Sequence, residues 1–523
     1  MKLFKNFLFR SFLIILFILR IFSIVEAQEE GISPEIIKNH IDFLASDKLQ
    51  GRKTPSAGLD TAASYIAHEL QNLGINSLNG TYFHSLNLCR CGLGKRQHFE
   101  LNTPSGKVVV PLKTGYIPFQ TIGDTTVEGV LVFAGYGLNL PNLGYDDYSN
   151  IDVKGKIVVV LSHFPGETSD DHRAKLIEKS GKTSINEKIA TARNKGAIGL
   201  ILLTNPKNHL LLKPQGHTWA ALLKRAKEDS DPLILKFHKE SFTAIHAGEE
   251  TMKLLFGSKE NLIKIQEKID KNFQPYSFEI PGFTASIATS LHKRFIKADN
   301  VIGILEGNNP KLRSQYLIIG AHYDHIGTMK SEGTDNSDTI FNGADDNASG
   351  TAAVLAIARA FAKAEKLPER SVVFVFFAGE ELGLLGSRSF VLDPPLPLDS
   401  IIAMLNFDMV CRGGSDTLYI SPESTNSALY LMAKEKAMAE GFKTVQQNMI
   451  SFGGSDHQPF LDKNIPALHF FTGLHADYHQ VSDNPDRCDS VKASKVARLG
   501  WKLAWEIANS NITFANHYSE IKN

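Results

Sequence analysis

The 523-residue sequence holds only four cysteines, Cys89, Cys91, Cys411 and Cys488. So low a count excludes a disulfide-built scaffold and allows bridges without demanding them. Cys89-Arg90-Cys91 is too tight to be half of a zinc ribbon, and no second pair stands at ribbon spacing. Those two thiols are expected near solvent or linked to each other. A charge excess is lacking too: 56 basic residues balance 56 acidic ones, so no global field draws the chain to nucleic acid or to an anionic membrane. Past the N-terminus, no apolar run reaches the ~20 residues of a membrane span. Internal repeats and low-complexity tracts are lacking as well, which leaves ordinary packed domains.

Lys2, Lys5 and Arg10 precede the apolar run Phe12 to Leu19, and Val25-Glu26-Ala27 follows. Basic, apolar and small residues in that order read as a secretory signal over 1–27, with a secreted, periplasmic or extracellular product. Stable membrane insertion after cleavage is not expected. The length then calls for more than one compact unit.

Apolar spacing predicts helices over Pro34 to Leu49 and Leu59 to Leu73. From about Thr121 to Leu161 short β-branched runs divided by glycine predict strands and tight turns. A helix over Asn186 to Asn194 and a buried strand over Gly196 to Leu203 follow, then a helix near Glu260 to Asp270. No constellation of metal ligands is evident in this block, which therefore reads as an insert away from the reaction centre. From Asn300 onward apolar runs alternate with helical segments, so an α/β fold is expected: a mostly parallel twisted sheet flanked by helices.

In such a sheet ligands bind where strands end at their carboxyl edge. Tyr316 to Ala321 runs into His322-Tyr323-Asp324-His325, Val372 to Gly379 into Glu380-Glu381, and Ile401 to Phe407 into Asp408. Ala467 to Phe471 is followed by a loop with Asp477, Tyr478 and His479. Between the first two lies Asn342-Gly343-Ala344-Asp345-Asp346-Asn347-Ala348-Ser349-Gly350, whose small residues let the backbone pass close to a metal. Two histidines and three carboxylates suit Zn²⁺. With five ligands for two ions one carboxylate must bridge, and Asp345 and Asp346 both qualify. Glu380, adjacent to a ligand but left over, is the natural general base.

These motifs resemble the di-zinc aminopeptidases of metallopeptidase family 28. They include Gly379-Glu380-Glu381-Leu382-Gly383-Leu384-Leu385-Gly386-Ser387, Asn406-Phe407-Asp408-Met409, Tyr478-His479 and the opening Leu44 to Arg52. The resemblance implies that Asp346 bridges two zinc ions, with His322 and Asp408 completing one site and Glu381 and His479 the other. It also implies that Asp324 orients His322 and that Tyr478 lies near the oxyanion. His325 and His457 are read as structural. Residues 28–115 and 283–523 would form the peptidase domain. The stretch 116–282 resembles an inserted, β-rich protease-associated (PA) domain, through Gly135-Tyr136-Gly137, Tyr145-Asp146-Asp147-Tyr148 and Lys154 to Val158.

The implied substrates are peptide or protein N-termini, whose α-ammonium the carboxylates would hold. Rival readings are a carboxypeptidase of the same superfamily and an inactive receptor-like binding protein. The first usually adds a long C-terminal helical domain, and the second should lack ligands.

Overall fold

The computed structural model describes residues 31–119, 124–215, 219–222, 231, 233–235, 242–329, 338–421, 428–445 and 454–514. The signal expected over 1–27 lies outside them. Among the described residues no helix is long and apolar enough to cross a membrane. The chain divides into two compact units, one built from residues up to 88 and from 296 onward, the other from 89–295.

In the first unit, helices α1 (Pro34–Leu44) and α2 (Ala57–Asn72) lead into a nine-stranded sheet. Ser33 starts α1 by accepting from the Ile36 N–H at 3.2 Å, with Pro34 at the first helical position. The strands that matter for function are β1 (Asp299–Leu305), β2 (Tyr316–His322), β3 (Ser371–Phe377), β4 (Ile401–Phe407) and β5 (Ala467–Phe471). Their order across the sheet is β1-β3-β2-β4-β5. The last four are mutually parallel, and β1 is antiparallel to β3. Every residue of β3 is buried, as a parallel sheet covered on both faces requires of its near-continuous apolar strands. Helices α3 (Gly350–Ala362) and α4 (Ser490–Ala508) pack together, and α3 lies against β2 and β4. Gly500, inside α4, lets that helix lie close to α3 and β4, since a Cβ there would stand 2.9 Å from Cδ1 of Ile357 and 2.5 Å from Cζ of Phe407.

Cys411, just beyond β4, and Cys488, just before α4, form a disulfide across a sequence separation of 77. The bridge ties the end of a central strand to the helix that backs it.

In the second unit an eight-stranded sheet combines parallel strands at Thr125–Ala134, Ile157–Leu161, Gly199–Leu203 and Thr243–Ala247 with antiparallel partners, chiefly Ser277–Thr289. Phe99, Leu131, Phe133, Val159, Ile201 and Ile245 belong to its core. Stretches 98–109 and 283–289 pair into the same sheet and widen the unit beyond 116–282. Cys89 and Cys91 correct the expectation of solvent-near or linked thiols. They are free and buried, with their sulfurs 2.8 Å apart. Residues two apart on a strand share a face, and in Leu88–Leu93 that face is covered. A second correction concerns ligands: this unit does gather two histidines and a carboxylate, His163, Glu167 and His209.

Replacing Cys411 and Cys488 together by serine is expected to cost about 2–5 kcal/mol, read as a lower urea midpoint for the first unit. An unchanged midpoint would show that the bridge does not stabilise this unit.

Candidate metal centre

Because β3, β2, β4 and β5 run parallel, their carboxyl ends share one edge of the sheet. Chain order 2-3-4 becomes spatial order 3-2-4, so the direction of winding reverses at β2, where a crevice opens in folds of this kind. His322 is the last residue of β2. Glu380 and Glu381 follow β3, Asp408 follows β4 directly, and His479 lies in the loop after β5. Asp346 comes from the segment Ala344–Ser349 that precedes α3. That segment starts at Gly343, with φ of 57° and a virtual Cβ only 2.2 Å from the Asp346 carbonyl oxygen, so only glycine fits.

Asp346 is the junction. Its Oδ1 lies 3.3 Å from Nε2 of His322, and its Oδ2 lies 3.1 Å from Nε2 of His479. The same His322 nitrogen stands 3.3 Å from Oδ1 of Asp408, and the same His479 nitrogen 3.2 Å from Oε2 of Glu381. His325, expected to be purely structural, joins the second group: its Nδ1 is 2.7 Å from Oε1 of Glu381 and 3.7 Å from Oδ2 of Asp346. His457 stands apart and stacks on His469 at 4.9 Å.

Asp345 differs from Asp346 by its partners. Its Oδ1 accepts from the Cys411 N–H at 2.8 Å and the Ser349 hydroxyl at 3.1 Å, and its Oδ2 is 3.1 Å from Nε2 of His475. It braces loops, and Asp346 alone of the two faces both groups. His475 was not anticipated, and nothing in its local sequence marks it.

The surrounding shell holds the donors in place. Nδ1 of His322 faces the Asp324 carbonyl oxygen at 3.3 Å, with the Asp324 carboxylate at 3.7 Å, which leaves Nε2 turned toward Asp346 and Asp408. Asp324 also accepts from the Thr54 hydroxyl at 3.0 Å and the Glu380 N–H at 3.1 Å. Asp408 accepts from the Ser455 hydroxyl at 2.6 Å. Asp483 accepts from the N–H groups of Asp345 and Asp346, each at 3.1 Å. Arg52, buried and assigned no role from sequence, donates to the carbonyls of Tyr323 (2.9 Å), Asn342 (2.8 Å), Gly343 (3.0 Å) and Leu44. It thereby ties together the loops that carry His322 and Asp346.

The electrostatics follow from crowding carboxylates in a buried place. Burial pushes the Glu380 carboxyl well above the usual range, and Asp408, Asp456 and Glu381 push it further against the opposing pull of His322. Burial would lower His479, but hydrogen bonds to Asp346 and Glu381 carry it up to about 10. Burial would raise Asp346, yet His322 and His479 hold it below the usual carboxylate range. Tyr478 stacks on His479 at 3.8 Å and is 36% exposed. Burial and the nearby charges of Asp346 and Glu381 raise its hydroxyl, which stays protonated as a donor.

Imidazole nitrogens and carboxylate oxygens are the donors zinc takes, and bonds of 2.0–2.1 Å in a tetrahedral shell put neighbouring donors about 3.3 Å apart. The 3.1–3.3 Å separations around Asp346 meet that spacing on both sides. Among the described residues, His322, Asp346 and Asp408 form one group that could hold a metal ion and His325, Asp346 and Glu381 form another, with Nε2 of His479 beside the second.

Residues 300–504 match the family model described as Peptidase family M28, and residues 127–232 match the PA domain. The chain is similar to a probable leucine aminopeptidase of Arthroderma otae, 26% identical over 226 residues, covering 41% of this chain and 59% of that protein. It is also similar to leupeptin-inactivating enzyme 1 of Streptomyces exfoliatus, 25% identical over 273 residues, covering 50% of this chain and 53% of that one. The chain thus spans about half the length of the curated relatives it matches. A solved aminopeptidase from Aneurinibacillus sp. strain AM-1 aligns with 93% of this chain and 97% of its own, at 18% identity and a TM-score of 0.48. The chain carries a domain of peptidase family M28 together with a PA domain.

Proposed function

We propose that this protein is a secreted zinc aminopeptidase that removes N-terminal residues from peptides. The observation that carries the reading is Asp346, one carboxylate with its two oxygens turned to two different histidine–carboxylate groups. Two zinc ions per chain would be held by His322, Asp346 and Asp408 and by Glu381, Asp346 and His479, and when bound they supply Lewis acidity and a water of lowered pKa. Export follows from the expected signal over 1–27.

The chain's own groups then divide the work. Glu380, with its proton affinity raised by burial and by neighbouring carboxylates, takes the proton from the attacking water and returns it to the leaving amine. Tyr478, kept protonated beside His479, donates a hydrogen bond to the carbonyl oxygen as negative charge develops there. Asp324 fixes the His322 ring and, through its bond to the Glu380 N–H, the position of the base. The surplus of carboxylates around the site favours a cationic α-ammonium at the scissile end of the substrate, which restricts cleavage to free N-termini.

Glu380→Gln keeps the shape of the side chain and removes its basicity. It is expected to lower kcat by about 10²–10⁴-fold on chromogenic aminoacyl substrates while zinc content stays at the wild-type level. Full activity in a zinc-loaded variant would remove Glu380 from the base role. Cleavage of N-blocked peptides at a rate comparable with free ones would overturn the exopeptidase reading.

Chelation should abolish activity and zinc should restore it. Removing the ions also leaves like charges facing one another in a buried place, so the first unit should melt at a lower temperature without metal. An apo protein with unchanged Tm and activity would speak against a metal at Asp346.

A further inference from the structure

Each half of the Cys411–Cys488 bridge has an arginine beside it. Arg412 follows Cys411 and Arg487 precedes Cys488, so a bond across a sequence separation of 77 brings two guanidinium groups to one place. Both meet Asp477. Nη2 of Arg412 donates to its Oδ2 at 2.6 Å, and Nη1 of Arg487 lies 3.3 Å from each of its oxygens. Asp477 immediately precedes Tyr478 and stands two residues before His479. We propose that Arg412, Asp477 and Arg487 are positioning residues, a clamp that holds Tyr478 and His479 in place at the centre around Asp346. What those two side chains do is taken from the aminopeptidase reading; how they are held is visible in the structure.

His479 needs such a hold. It adopts a left-handed φ of 56°, which a residue with a side chain keeps only where its surroundings impose it. Its Nε2 stands 3.1 Å from Asp346 and 3.2 Å from Glu381, although the side chain is only partly buried. One face of its ring stacks on Tyr478, itself at the surface, so burial alone does not fix the pair. Backbone turns fold the segment: the Tyr478 N–H donates to the His475 carbonyl at 3.1 Å and the Gln480 N–H to the Asp477 carbonyl at 3.0 Å. Asp477 anchors these turns by its side chain. Its Oδ1 also accepts from the Ser482 hydroxyl at 2.6 Å, which closes the loop on the far side of His479. Bonds from charged donors to a carboxylate are short and strong, and with Arg412 17% and Asp477 10% exposed, solvent and salt screen this pair poorly.

The other end of the clamp is tied to the frame. Arg412 stands four residues past Asp408. Its N–H donates to the Thr472 hydroxyl oxygen at 3.3 Å, and its carbonyl accepts from Nζ of Lys492 in α4. Thr472, directly after β5, holds the Met409 carbonyl through its N–H at 2.9 Å and its hydroxyl at 2.8 Å. Arg412 thus ties the Tyr478–His479 loop to the chain that carries Asp408, and Arg487 ties it to the start of α4. His475, on the same loop, meets Asp345 at 3.1 Å and links it to the segment that carries Asp346.

The test compares zinc-loaded full-length variants on a chromogenic aminoacyl substrate. Asp477→Asn and Arg412→Met should each lower kcat about 10–100-fold, the usual cost of losing an outer partner of a metal site, with KM nearly unchanged. Arg412→Lys should recover most of the loss, because the contact with Asp477 is a single bond that an ammonium can also make. Arg487→Met should cost less than Arg412→Met, since the Arg487 side chain is 53% exposed and its contacts are longer. In equilibrium dialysis Asp477→Asn should hold the zinc beside His479 about 10–100-fold more weakly and the ion beside His322 as tightly as wild type. Wild-type kcat and zinc affinity in Asp477→Asn would overturn the clamp. If that variant does not fold, Arg412→Lys against Arg412→Met decides on the same readouts, and equal losses in the two would overturn it. A zinc-loaded wild type that cleaves no free N-terminus would sink the aminopeptidase reading alone. The clamp is then judged by zinc affinity and by the crystal structure of Asp477→Asn, where a displaced His479 supports it and an unmoved one refutes it.

Discussion

The structure of the first unit turns on placing several carboxylates where water cannot screen them. Asp324, Asp346 and Asp408 are buried, with Glu380 and Glu381 only partly exposed beside them. Like charges so placed are costly unless cations stand between them. His322 and His479 answer part of that demand, and both are pushed toward the charged form by their carboxylate neighbours against the effect of burial. A pair of divalent ions would answer it more completely, with Asp346 common to both.

Holding such a cluster open is the task of residues that never face it. Arg52 uses its guanidinium on backbone carbonyls from three segments, so its charge is spent on fixing the loops before β3. Asp483 fixes the same loop from the other side through the N–H groups of Asp345 and Asp346. Asp345, its neighbour Cys411 and the disulfide to Cys488 link that loop to α4. A ligand displaced by an ångström would no longer share its partner's ion, which is why so much hydrogen bonding is committed to so short a stretch of chain.

Strand-end logic brought the candidate donors to one place because it rests on a local fact. An apolar run buried on both faces must end in the crevice, and whichever polar residue comes next stands there. His322, Glu381 and Asp408 obey it directly, and His479 follows in the loop after β5. Arg52, His325 and His475 carry no such signal. Arg52 reaches the carbonyls of residues 271, 290 and 291 positions away, and His475 pairs with an aspartate 130 positions earlier. The same limit hid His163, Glu167 and His209, since the parallel pairing of Ile157–Leu161 with Gly199–Leu203 sets the distance between their loops. The reading of Cys89 and Cys91 failed for a related reason, because a short strand does not reveal which of its faces will be covered.

By itself the sequence determined the alternating α/β character of the chain from residue 300, the strand ends and the donor types that follow them. These depend on burial periodicity and on residue chemistry, both written along the chain. Tertiary structure set Asp345 apart from Asp346, as these consecutive side chains point to different partners. It also decided that Cys411 and Cys488 are bonded, and that histidines from distant loops meet a common carboxylate. Each of these is a matter of which segments lie beside which, and spatial neighbourhood is set by packing of the whole sheet.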